Sequence, residues 1–169
     1  MSPPLVVFSH GQESGPWGTK ILAMSAMAKD IGCAIDSIDY QGITDPTDRV
    51  DKLIDACSTV EGTIIMVGSS MGGHVATAAA QAVGAAGLFV LAPAYYMAGF
   101  EALTPEPPEI PIEIVHGWHD DIVPPENSIR FAAACSATLH MVDGDHRLTN
   151  NIDEINFYLG RFINRIAGP

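Results

Sequence analysis

The sequence of 169 residues predicts an α/β fold: a three-layer α/β/α sandwich around a mostly parallel six-stranded sheet, in one domain spanning 1–169. Two observations carry this expectation. Apolar runs of strand length alternate with segments of helical spacing along the whole chain, the pattern of βαβ units. The runs are also nearly continuous rather than alternately apolar and polar, as strands covered on both faces require.

The elements follow in order. Residues 5–9 are a short apolar run and read as the first strand, and residues 17–29 have helical spacing. Residues 33–40 read as a strand through Ala34, Ile35 and Ile38. A helix starts at 44–46, where Thr44 or Asp45 suits the N-cap and Pro46 the first turn, and it runs to about Ser58. Residues 63–68 are a strand and the small residues of 71–83 a helix. Further strands fall at 88–92, 112–116 and 138–142, with a helix over 125–135. The last helix, 152–166, carries an apolar stripe of Ile152, Ile155, Tyr158, Leu159, Phe162, Ile163 and Ile166. The Pro-rich stretch 104–111 cannot hold a regular helix and reads as a crossover loop rather than a substrate-binding lid.

Composition removes several function classes. The net charge is −12 and only eight residues are Lys or Arg, which excludes the clustered cations that nucleic acid requires. No run of apolar residues is long enough to span a membrane. The N-terminus lacks the basic start of a secretory leader, so a cytoplasmic location is expected. Cys33, Cys57 and Cys135 are scattered and read as small core residues of a reduced protein. The string His116-x-x-His119-Asp120 lacks the remaining ligands of a metal site. No Gly-x-Gly-x-x-Gly follows the first strand, and no Lys follows the glycines at 68, 72 and 73. Neither metal nor cofactor is expected.

The chemistry concentrates at strand exits. Gly68-x-Ser70-x-Gly72 lies where the strand 63–68 turns into a helix, the context of a nucleophile elbow. Ser69 is set aside because its side chain should point the other way. A nucleophilic Ser also needs a base, an acid that orients it and donors for an oxyanion. In an open parallel sheet these belong on loops past the C-terminal strand ends. Three loops qualify: the one opening Ser9-His10-Gly11-Gln12, the one from His116 to Pro124, and Asp143-Gly144-Asp145-His146-Arg147.

In this order, His10-Gly11, Gly68-x-Ser70-x-Gly72, His116-Gly117-x-x-Asp120-x-x-Val123-Pro124 and Asp145-His146 resemble the α/β-hydrolase superfamily over nearly the whole chain. The likeness is to small carboxylesterase, thioesterase and dienelactone-hydrolase-like members. It implies a minimal α/β-hydrolase fold without a cap domain, with Ser70 as nucleophile, Asp120 as acid and His146 as base. Asp121 is the neighbouring alternative to Asp120, and His119 the rival to His146. Asp143 and Asp145 are read as turn formers, and the rings of His10 and His116 as braces for loops. The backbone N–H groups of Gln12 and Met71 would form the oxyanion hole. Trp17, Tyr95, Tyr96, Met97 and Trp118 are candidates for the substrate pocket. The chain departs from the superfamily in starting almost at once with the His10-Gly11 strand and in having too few residues between Ala92 and Ile112 for a cap.

The expected function is hydrolysis of a small-molecule ester or thioester through an acyl-enzyme. Amide or peptide cleavage and lactone opening on the same triad are the alternatives, as is a binding module without catalysis. The amphipathic last helix and the sheet edges leave a homodimer open.

Overall fold

The computed structural model describes residues 2–168. Among the described residues six strands and five α-helices follow one another, with no α-helix between the fourth and fifth strands: β1 (Leu5–Ser9), α1 (Thr19–Asp30), β2 (Ala34–Ile38), α2 (Pro46–Cys57), β3 (Ile64–Ser69), α3 (Met71–Val83), β4 (Gly87–Leu91), β5 (Ile112–Gly117), α4 (Pro125–Cys135), β6 (Thr138–Val142) and α5 (Ile152–Ala167). The strands form one sheet in the order β2-β1-β3-β4-β5-β6, and every neighbouring pair is parallel.

Side-chain alternation divides the core into two layers. Val7, Met66, Leu88, Val90 and Ile114 turn to one face, where Leu53 of α2, Val75 and Ala79 of α3 and Phe131 of α4 cover them. Val6, Phe8, Val67, Phe89 and Val115 turn to the other, beneath Ile21 and Met24 of α1 and Leu159 and Phe162 of α5. Every residue of β4 is buried, which explains why its sequence shows no polar alternation.

Several boundaries differ from the sequence expectation for identifiable reasons. Helix α1 begins at Thr19, after Gly18, so Trp17 lies outside it. Strand β2 stops at Ile38 because Asp39 turns the chain, its carboxylate accepting the N–H of Gln41 at 2.9 Å. As an edge strand β2 is also half exposed, unlike the central strands. Strand β4 stops at Leu91 because Ala92 takes a left-handed φ of 42°. Asp45 caps α2 by accepting the N–H of Thr47 at 2.9 Å, with Pro46 in the first turn. Between β4 and β5 the only regular piece is a short 3-10 turn, Glu101–Leu103, and the Pro-rich stretch after it is irregular.

The order of strands reverses between β1 and β3, whose C-terminal ends therefore flank a crevice. At the opposite rim the chain returns from helix to strand through left-handed residues, Gly32, Gly62, Gly84 and Ser136. The crevice depends on close approach of α3 to β1. A Cβ on Gly72 would run into the carbonyls of Ser9 and His10. Gly72→Ala should therefore destabilise the fold by roughly 3 kcal/mol or more, read as a lower urea midpoint. An unchanged midpoint would contradict the packing described.

Candidate active site

The turn after β3 holds Ser70 at φ 55° and ψ −121°, a conformation that residues with a Cβ rarely adopt. Four backbone hydrogen bonds enforce it. The Ser70 N–H donates to Leu91 at 2.9 Å, and its carbonyl accepts from Gly73, His74 and Ala94 at 3.0, 3.2 and 3.0 Å. Gly68 and Gly72 are required on either side, because a Cβ on Gly68 would collide with the backbone of Gly72 and Gly73. The Ser70 hydroxyl is thereby carried to the rim of the sheet, at the start of α3.

The imidazole of His146, on the loop after β6, meets that hydroxyl: Nε2 lies 3.1 Å from Ser70 Oγ. The other ring nitrogen, Nδ1, is 2.7 Å from Asp120 Oδ2. Gly117 lets the loops bearing Asp120 and His146 touch. A Cβ on Gly117 would strike the carbonyl of Gly144, and Trp118 and His119 donate their N–H groups to Val142 and Gly144 at 2.9 and 3.0 Å. Asp145 holds the second loop by accepting the N–H of Leu148 at 2.9 Å.

Asp120 is buried and its acceptor capacity is filled. Oδ1 takes the N–H groups of Ile122 and Val123 at 2.9 and 2.8 Å. Oδ2 receives, besides His146, the Nε2 of His116 at 3.0 Å. That nitrogen also faces the Val123 carbonyl at 3.0 Å, so it must carry the proton; Nδ1 of His116 then accepts from Ser128 Oγ at 2.6 Å. Burial alone would raise the pKa of Asp120. The hydrogen bonds from His116, His146, Val123 and Ile122 outweigh it and hold the carboxyl well below its ordinary range. His116 is thus more than a loop brace: it is a second imidazole on the same carboxylate oxygen.

The loop after β1 is fixed from several sides. His10 donates through Nδ1 to the Gly11 carbonyl at 2.7 Å and accepts the Tyr40 N–H on Nε2 at 2.8 Å. Arg49, buried on α2, reaches the same Gly11 carbonyl at 3.3 Å. Gln12 lines the cleft beside Ser70. Met71 is the first residue of α3, so its N–H has no partner within the helix, while its side chain turns into the core.

The cleft has a volume of about 650 Å³ and its walls come chiefly from the loop after β1, from α1 and from the His146 loop. The aromatic candidates do not form it. Tyr95 is wholly buried, its ring stacked on Phe131 and its hydroxyl 2.6 Å from Thr77 Oγ1. Tyr96 lies under the Arg130 guanidinium. Trp17 and Trp118 stand in solvent, 46% and 55% exposed, and neither they nor Met97 line the cleft. Asp121 faces the cleft but does not touch His146, and His119 pairs at the surface with Asp143 at 3.1 Å. The Ser69 hydroxyl accepts not from His146 but from Lys20, at 3.2 Å. Lys20 carried no signal in the sequence beyond its place in a helix. Among the described residues no cluster of His, Cys, Asp and Glu is disposed to hold a metal ion, and no helix is long and apolar enough to cross a membrane.

Residues 6–159 match the model of the alpha/beta hydrolase family. No curated protein matches the sequence. Among solved structures, a protein of Xanthomonas campestris pv. campestris assigned to the alpha/beta hydrolase superfamily is 28% identical, with a TM-score of 0.86 over 96% of this chain and 99% of that one. Est1E from Butyrivibrio proteoclasticus is 17% identical, with a TM-score of 0.84 over 99% of this chain and 90% of that one. An α/β serine hydrolase without a lid, from Xanthomonas campestris, is 19% identical, with a TM-score of 0.80 over 97% and 82%.

Proposed function

The chain belongs to the alpha/beta hydrolase family, and on that premise we propose that it is a serine hydrolase cleaving a small carboxylic ester or thioester through an acyl-enzyme. The observation that supports this best is the unbroken relay at one strand exit: Ser70 Oγ to His146 Nε2 at 3.1 Å and His146 Nδ1 to Asp120 Oδ2 at 2.7 Å. His146 accepts the Ser70 proton as Oγ attacks the carbonyl carbon. The carbonyl oxygen becomes an oxyanion that the N–H groups of Gln12 and Met71 receive, each worth on the order of 3 kcal/mol in such sites. The carbon–oxygen or carbon–sulfur bond to the leaving group then breaks, and His146 returns its proton to that group. Water then gives a proton to His146 as its oxygen bonds the acyl carbon, the bond from that carbon to Ser70 Oγ breaks, and His146 returns the proton to Oγ as the acid leaves. Asp120 keeps Nδ1 protonated and stabilises the imidazolium of each step.

Wild-type protein is expected to react with a fluorophosphonate probe, and Ser70→Ala to remain unlabelled, both read by intact mass. An unlabelled wild type would overturn the reading in favour of a binding module. A panel of 4-nitrophenyl esters, acyl thioesters, lactones and anilides then resolves the bond cleaved.

A further inference from the structure

Lys20 has no part in the steps above, yet it stands at the nucleophile's side. It lies on the first turn of α1, half-buried in the cleft wall, and its Nζ donates to the neutral hydroxyl of Ser69, the residue before Ser70. Arg147, the residue after His146, lines the same cleft. Neither Lys20 nor Arg147 makes an ion pair among the described residues. A partly desolvated cation whose hydrogen-bond partner is a neutral hydroxyl retains donors for an anion.

We propose that Lys20, assisted by Arg147, is a specificity determinant that selects substrates carrying a free carboxylate in addition to the ester or thioester cleaved at Ser70. The proposal rests on the hydrolase reading for the scissile bond, but the anion site can be measured without turnover. The net charge of −12 repels anions in general, so one carboxylate gains entry only where local cations outweigh that field. Three carboxylates also face the cleft. Glu13, Asp121 and Asp145 are exposed, as is Arg147, so solvent screens them alike, and Asp145 is also tied to the Leu148 N–H; Lys20, half-buried, is the cation least screened. Burial pushes the Lys20 ammonium down to about 8; Asp145 and Asp120 pull it up and Arg147 pushes it further down. Lys20 is therefore charged at neutral pH and loses its proton as pH rises through that value.

The test compares 4-nitrophenyl hydrogen glutarate with 4-nitrophenyl valerate, a neutral ester of the same length. Wild type should prefer the glutarate in kcat/KM, and Lys20→Met should lower that preference at least about tenfold, as loss of a hydrogen bond to a charged group implies. The wild-type preference should fade as pH rises through about 8, and Lys20→Arg, which stays charged, should keep it. Calorimetric binding of monomethyl glutarate to Ser70→Ala, with and without Lys20→Met, reads the anion site alone. Lys20-dependent binding by a protein whose wild type hydrolyses neither ester and takes no fluorophosphonate label would sink the hydrolase reading and leave the anion site standing. A wild-type preference for valerate, a ratio untouched by Lys20→Met, or binding indifferent to Lys20 would overturn the proposal.

Discussion

Ser70→Gly is expected to abolish turnover and at the same time raise the melting temperature. The loss of activity should reach about 10⁶-fold in kcat, the scale seen when a triad nucleophile is removed. The gain in stability comes from the backbone. At φ 55° and ψ −121° a Cβ is strained, and only glycine enters that region freely. Strain of this kind costs on the order of 1–3 kcal/mol. Glycine gives back roughly 0.4–1 kcal/mol through the greater freedom of the unfolded chain. The net of about 1 kcal/mol corresponds to a rise of roughly 2–4 °C. Ser70→Ala is the control: it loses the hydroxyl, keeps the Cβ and should melt near wild type. If the Gly variant melts below the Ala variant, the turn is not strained and the account of how the elbow is held is wrong.

Asp120→Asn should lower kcat by about 10⁴-fold and destabilise the fold by roughly 1–3 kcal/mol at pH 7. Both effects follow from a carboxylate whose two oxygens face only donors. Oδ1 takes the N–H groups of Ile122 and Val123, and Oδ2 takes His116 and His146. An amide nitrogen put in either place turns a donor toward donors. If it replaces Oδ2, His146 is pressed to carry its proton on Nε2, where it can no longer accept one from Ser70. The pH dependence carries a further signature. The folded pKa of Asp120 lies below its unfolded value of 3.8, so its contribution is fully present above that value and is lost as pH falls beneath it. The gap in urea stability between wild type and Asp120→Asn should therefore be widest near neutrality and shrink below pH 4. A gap of constant width from pH 7 to pH 3 would contradict the hydrogen-bond pattern.

Much of this site can be read from the chain because its chemistry sits at strand exits. Apolar runs locate the strands, and Ser70, Asp120 and His146 each follow a run's end closely. The parallel sheet then leaves those ends side by side, and the structure places the three within hydrogen-bond reach. The pocket was not legible, since residue type does not set side-chain direction. Left-handed turns at Ala92 and Tyr96 bracket Tyr95, whose ring enters the layer of α3 and α4 instead of the cleft. Lys20 was missed for the converse reason: its ammonium projects from a helix that looks merely amphipathic, and Ser69 is 49 positions away. His116 read as a strand end, and its bond to Asp120 depends on how the loop to Val123 curls back.

The left-handed returns at Gly32, Gly62, Gly84 and Ser136 all belong to the rim opposite Ser70. A tether to a solid support, or a reporter spliced into one of those bends, would meet neither the relay nor the mouth of the cleft. The polymer thus has a working end and a handle.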